Sequence, residues 1–234
     1  HRAKFEMRSD DDDEMSTLKR IKEKLAADAD ESKFSEGSKN YVFTDTTILR
    51  FFRGRQNDED KAVRGLLRHI KWREEYSVCD IASRTSEFES ELSSKKIVIG
   101  KQLDKSLRPV VFIFAGRHNN DIKKIEQLII YTIEETIKRS RPEEERMLLC
   151  FDLSSFSYTC MDFEVVQLLI SILQYNYPET LATALVVDAP FLFSACWAII
   201  RPWLDPVTAA KALFISRAQL PAYFDPPVLP DEMT

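Results

Sequence analysis

The sequence predicts an α/β protein in which a helical N-terminal lobe precedes a mostly parallel sheet flanked by helices. Three observations carry this. Apolar residues recur at spacings of three and four through roughly the first ninety positions. After Lys96 the pattern changes to short, β-branched apolar runs bounded by charge and glycine. From there strand-like and helix-like segments alternate, the order that implies parallel strands joined by crossover helices.

The segment HRAKFEMRSDDDDE repels itself through its aspartate block, so residues 1–15 read as an acidic, solvated, disordered tail. A first helix begins near Ser16, with Leu18, Ile21 and Leu25 on one side, and the Ser/Glu/Gly/Asn stretch 32–40 interrupts it. Thr44 or Asp45 caps a second helix carrying Ile48, Leu49, Phe51 and Phe52. Asn57 and Asp58 separate it from a third, striped by Ala62, Leu66, Leu67 and Ile70. Residues 16–95 form the helical lobe and 96–234 the second domain, a division compatible with a chain of 234 residues.

In the second part, IVIG and RPVVFIFAG read as strands. They are followed by a helix over 122–139, a strand in MLLCFDL, a helix over 162–176 and a strand in ATALVVDA. Residues 181–200 hold a single charge and would register as membrane-spanning by hydropathy. Asp188 and Pro190 break that reading into a buried strand to Val187, a turn, and an apolar helix from Phe191 to about Trp203. Apolar almost all round, that helix requires cover, from core or from something greasy.

Several function classes are excluded. A net charge of −5 opposes an extended nucleic-acid footprint. No GxxxxGK[ST], GxGxxG, HExxH or GxSxG occurs, and His1, His69 and His118 have no metal-site spacing. His69 and His118 read as solvated or locally bonded, and Asp152 as a cap or turn residue. No catalytic residue, metal or cofactor is expected, and the protein reads as a non-enzyme. Cys79, Cys150, Cys160 and Cys196 form no CxxC pair, and three of them read as core. With no signal-peptide pattern at the start, this predicts a reducing, cytoplasmic compartment.

Two segments carry a family likeness. TTILRFFRGRQNDEDKAVRGLLRHIKWREEY, residues 46–76, resembles the helical N-terminal segment of the CRAL-TRIO, or Sec14-like, lipid-transfer family. YPETLATALVVDAPFLFSACWAIIRPWLDPVTAAK, residues 177–211, is similar to that family's core signature: YPE, a strand, a gating helix, a DPVT-type turn and a lysine. RPVVFIF and CFDLSSFS stand where the family has intervening strands, and the likeness covers about residues 45–230.

The resemblance implies an apolar pocket for one lipid, floored by the sheet and closed by a mobile gate helix, here 191–204, whose Phe191, Phe193, Trp197, Ile200 and Trp203 would line the pocket or meet the membrane. It also implies a phosphatidylinositol headgroup site at Arg55, Pro109, Glu179, Thr208 and Lys211. Family positions that contact phosphatidylcholine are Gly100, Val111, Met147, Leu149 and Leu173 here, which does not favour a choline lipid. Gln56 replaces the basic residue usual after the arginine, and Leu107-Arg108 replaces the usual Gly-Arg before the proline.

The chemistry agrees with the likeness. A phosphodiester takes fixed cations and hydroxyl donors, and the vicinal hydroxyls of inositol suit a carboxylate acceptor. By spacing alone, Glu179 equally reads as a turn residue after Pro178, Thr208 as a cap of the helix begun at Pro206, and Arg55 as a surface partner of Asp58 or Glu59. Pro109 would serve any strand start. The expected partners are phosphatidylinositol or another lipid and, transiently, a membrane surface, with no nucleic acid. The alternative cargo is a sterol, tocopherol, retinoid or haem, and the chain could equally be the lipid-sensing domain of a larger membrane-tethering or regulatory protein.

Overall fold

Short polar side chains start three of the early helices. Ser35, Thr44 and Asp58 accept from the backbone N–H three residues on, opening α2 (Glu36–Val42), α3 (Asp45–Arg53) and α4 (Glu59–Glu75). The computed structural model describes residues 2–117, 121–141, 145–225, 229–230 and 233. They fall into two compact units, His1–Cys79 and Asp80–Thr234.

The first unit is all helical. Its leading helix, α1 (Arg2–Asp28), extends well upstream of the expected start at Ser16, because no glycine or proline interrupts the chain there. The stretch 32–40, expected to be only a break, contains α2. The core joins Ile21 and Leu25 of α1 to Val42, to Ile48 and Phe51 of α3, and to Ala62, Val63, Leu66 and Ile70 of α4. Gly65 lets α3 and α4 approach closely, since a Cβ there would lie 3.0 Å from Phe51 Cδ1. Glu59 binds both Arg20 and Lys24 of α1, at 2.8 and 3.1 Å.

Of the two readings for His69, solvated or locally bonded, the structure removes the first. It is fully buried, stacked on Trp72 at 5.6 Å and flanked by Phe51 and Tyr41. Of the basic residues near it on α4, Arg64, Arg68 and Lys71 are exposed and Arg73 is buried. His118 lies outside the described residues. Of the cysteines, Cys150 and Cys196 are buried, Cys160 is half-buried and Cys79 exposed, so two rather than three are core.

The second unit is a five-stranded sheet in sequential order. β1 (Ile97–Ile99) runs antiparallel to β2 (Val110–Phe114). β2, β3 (Met147–Asp152), β4 (Leu181–Val187) and β5 (Ala212–Ile215) are parallel. β5 is an addition to the four strands predicted from sequence. Short α5 (Glu89–Ser93) packs on α6 (Ile122–Ile137), which crosses from β2 to β3. α7 (Phe163–Asn176) crosses from β3 to β4. α8 (Phe193–Ile200), a 3-10 turn over Arg201–Trp203, and α9 (Pro206–Ala210) lead from β4 to β5.

Strand alternation sorts the side chains. Val110, Phe112, Phe114, Leu148, Cys150, Leu185 and Val187 share one face and pack with Leu220, Phe224 and Met233. Val186 turns to the opposite face, where it joins Leu153, Phe156, Phe193, Cys196 and Ile200. Among the described residues no helix is long and apolar enough to cross a membrane.

Candidate functional site

Polar residues of interest gather where the parallel strands begin. The backbone joins those starts in a row: Leu148 N donates to Pro109 O at 3.0 Å, Met147 N to Thr180 O at 2.8 Å, and Ala184 N to Lys211 O at 2.9 Å. Pro109, Glu179 and Lys211 therefore all lie at the end of the second unit's sheet where its parallel strands start. Before Pro109 the chain turns through Leu107, at φ 60°, and Arg108, whose guanidinium pairs with Asp104 at 2.8 Å.

Glu179 occupies a rigid corner between α7 and β4. Tyr177, buried, donates its hydroxyl to Glu134 Oε1 at 2.6 Å, and Thr180, also buried, donates its hydroxyl to Tyr177 O at 2.6 Å. Between these anchors Glu179 takes a left-handed backbone, φ 60°, and its side chain remains 40% exposed. An L-residue held there is strained by about 1–2 kcal/mol. Lys211, at the end of α9, reaches back to bring Nζ within 3.9 Å of Glu179 Oε2.

Thr208 does not cap α9; Asp205 does. Asp205 Oδ1 accepts from Val207 N and Thr208 N, each at 2.9 Å, and Oδ2 accepts the Thr208 hydroxyl at 2.5 Å. Burial works against the Asp205 anion, but the hydrogen bonds from the Thr208 hydroxyl and the two backbone N–H groups outweigh it. With the charge of Lys211 they hold its carboxyl below the usual range. Sequence reasoning did not single out Asp205, although aspartate, then proline, then threonine at the third helical position is a capping signature.

Arg55 belongs to the first unit, just past the end of α3. Its guanidinium lies 5.9 Å from the Phe51 ring centroid, and Nη1 donates to Gly54 O at 3.4 Å. The candidate surface partners have their own ties, Asp58 with Lys61 and Glu59 with Arg20 and Lys24.

The apolar elements of the second unit are unevenly covered. α7 carries Phe163, Val165, Val166, Leu168, Leu169, Ile170 and Leu173, and all are only half-buried. On the same side of the sheet as Val186, register places Ala182 and Ala184 of β4 and Ala212 and Phe214 of β5. These alanines are half-buried and Phe214 is 47% exposed. α8 and the 3-10 turn after it meet this region through aromatic contacts: Phe193 with Phe156 at 5.3 Å, Trp197 with Phe214 at 5.2 Å, and, from the turn, Trp203 with Phe163 at 5.9 Å. Ile200 is buried in the same cluster, whereas Phe191 stands apart, 94% exposed. The helix of the 191–204 segment is shorter than expected, since Pro202 turns its end into a 3-10 segment.

The approach to α8 is clamped. Asp188 ends β4 with a left-handed backbone, φ 48°, and accepts from Arg217 N at 2.9 Å and Arg217 Nε at 3.4 Å. Arg217 Nη2 also reaches Asp152 Oδ2 at 3.1 Å. Asp152 is thus a turn residue, accepting Ser154 N, and an ion-pair partner as well. Its partner lies 65 positions away, and no local pattern announces such a pair. Among the described residues no group of His, Cys, Asp and Glu could hold a metal ion.

The model of the CRAL/TRIO domain matches residues 92–234. A CRAL-TRIO domain-containing protein of Schizosaccharomyces pombe is 31% identical over 179 residues, covering 73% of this chain and 40% of that protein. The phosphatidylinositol transfer protein CSR1 of Eremothecium gossypii is 31% identical over 189 residues, covering 75% and 43%. The phosphatidylinositol transfer protein PDR17 of Saccharomyces cerevisiae is 24% identical, covering 71% and 51%. The chain thus spans about half the length, or less, of these curated relatives. In fold it is similar to the crystal structure of Sfh5, with a TM-score of 0.62 at 18% identity, covering 75% of this chain and 67% of that one.

Proposed function

We propose, from the premise that the chain belongs to the CRAL/TRIO domain family of Sec14-like lipid-binding proteins, that it binds one molecule of phosphatidylinositol and exchanges or presents it at a membrane surface. The observation that carries this reading is the Glu179–Lys211 pair, 3.9 Å apart where β4 and β5 start, in a unit whose α7, β4 and β5 leave apolar side chains half-exposed. The ammonium suits the phosphodiester and the carboxylate suits the ring hydroxyls. The names of CSR1 and PDR17 as phosphatidylinositol transfer proteins support the same ligand.

Two acyl chains of about thirty methylenes, at about 0.8 kcal/mol each, are worth roughly 24 kcal/mol of transfer from water. Exchange therefore proceeds against a bilayer, by opening and closing of protein rather than by bond making. Residues 191–204 are the proposed gate. Their exposed Phe191 and Ile199, with nearby Val207, supply the apolar surface that a membrane-contacting element needs.

The test is lipid pickup. Purified chain incubated with vesicles of mixed cellular lipids, re-isolated and extracted, is expected to carry phosphatidylinositol by mass spectrometry. Glu179→Ala and Lys211→Ala are expected to lose it while keeping the wild-type circular dichroism. Equal pickup by both variants would sink the headgroup assignment.

A second reading keeps the fold with a more apolar cargo, a sterol, tocopherol, retinoid or haem. It is favoured by the apolar identity of Val111, Met147 and Leu149, all buried. Such a molecule in the same extract would decide for it.

A further inference from the structure

Thr208 and Asp205 change what the headgroup site can recognise. An ionised carboxylate has no proton to give, so the Thr208 hydroxyl must be the donor in its bond to Asp205 Oδ2. Its one proton is thereby committed, and Thr208 Oγ1 offers a ligand only lone pairs. The carboxylate in turn has both oxygens engaged, Oδ1 by two backbone N–H groups and Oδ2 by this hydroxyl.

The charges around Lys211 point the same way. Its ammonium lies 3.9 Å from Glu179, and the Asp205 anion is stabilised by the same lysine's charge. Two carboxylates against one ammonium leave this cluster with a negative excess. Together with an acceptor-only hydroxyl, it is matched to a ligand that presents O–H donors and carries no further anion at that place. A phosphomonoester on the ring would bring close to two negative charges and remove a donor.

Resting on the phosphatidylinositol reading, we propose that Asp205 is a specificity-determining residue: by fixing Thr208 as an acceptor and adding a second carboxylate, it selects an inositol ring with free hydroxyls and excludes ring-phosphorylated phosphoinositides.

Asp205→Asn tests this without dismantling α9. Asparagine caps a helix about as well as aspartate, so Oδ1 keeps both backbone N–H groups. The amide nitrogen at the place of Oδ2 then donates to Thr208 Oγ1, freeing the hydroxyl proton, and one negative charge is removed. The two proteins are incubated with phosphatidylcholine vesicles doped with radiolabelled phosphatidylinositol or radiolabelled phosphatidylinositol 4-phosphate, then re-isolated and counted.

The wild type is expected to take up phosphatidylinositol in preference to its 4-phosphate by roughly tenfold or more, a factor between those that one like charge about 4 Å away gives in bulk water and near a protein surface. The variant is expected to narrow that ratio by about the same factor, losing phosphatidylinositol and gaining the 4-phosphate. Equal uptake of both lipids by the wild type, which needs no variant, overturns the inference and leaves the phosphatidylinositol reading standing. An unchanged ratio in a variant with wild-type circular dichroism does the same. Uptake of neither lipid removes the headgroup reading and the inference with it.

Discussion

Replacing Glu179 with glycine separates a binding role from a structural one, because the two roles predict opposite pairs of results. Glu179 is held at φ 60° between buried Tyr177 and Thr180. Relieving that left-handed strain gains about 1–2 kcal/mol. Glycine's larger unfolded-state freedom costs about 0.5–1 kcal/mol. The lost pair with Lys211, at 3.9 Å with side chains 40% and 21% exposed, costs at most about 1 kcal/mol. These contributions largely offset, so Glu179→Gly is expected to unfold in urea within about 1 kcal/mol of the wild type, with a melting shift of no more than about 4 °C. Glu179→Ala, which loses the pair but keeps the strain, is expected to be the less stable of the two. Both are expected to lose phosphatidylinositol pickup from vesicles. A glycine variant destabilised by more than about 2 kcal/mol would refute the strain argument. A glycine variant that still loads phosphatidylinositol would refute the headgroup role.

Further expectations rest on other parts of the molecule. Gly65→Ala adds a methyl 3.0 Å from the fully buried Phe51 ring; despite a helix-propensity gain of about 1 kcal/mol, overpacking of about 1–3 kcal/mol should leave it less stable in urea. Arg217→Ala removes the cation shared by Asp152 and Asp188 and is expected to cost about 1–3 kcal/mol and to speed proteolysis within 188–204. Native alkylation followed by mass spectrometry should modify exposed Cys79 and half-buried Cys160, whose thiol is shifted down by the Ser157 hydroxyl, and spare Cys150, whose thiol burial pushes up to about 12. The carboxyl of Asp205 is held below its ordinary 3.8, so its contribution to stability is present above that value and lost as pH falls through the lower folded one; Asp205→Asn should flatten stability against pH in that acid range, differing from the wild type most near neutrality and least below the range.

The fold was legible where a single element declares itself. Thr44 or Asp45 offered a cap by local chemistry, and Thr44 takes the role; the continuous apolar runs of β2, β3 and β4 implied the parallel sheet they form. α2 was missed because seven residues with one glycine carry too little periodicity; its place is set by the Ser35 cap and by Gly37, where a Cβ would lie 3.0 Å from Cys79 Sγ. β5 was missed because four residues at a sheet edge, half of them exposed, look like any short apolar run. His69 misled because its neighbours on the helix are basic, whereas its neighbours in space are Tyr41, Phe51 and Trp72, brought there by the packing of three helices.

The candidate site shows a different limit. No local rule connects Pro109, Glu179 and Lys211; the parallel register does, by carrying the starts of β2, β4 and β5 to one end of the sheet, so only the resemblance could name them together. Even then the resemblance lists side chains without the sense of their hydrogen bonds. Thr208 looked like a donor to phosphate, and the structure turns its proton to Asp205. A headgroup site is therefore defined less by which residues are present than by which protons and lone pairs their neighbours leave for the ligand. At the headgroup site proposed for this chain, that remainder would be an ammonium, a carboxylate and an acceptor hydroxyl, the complement of a neutral polyol on a phosphodiester.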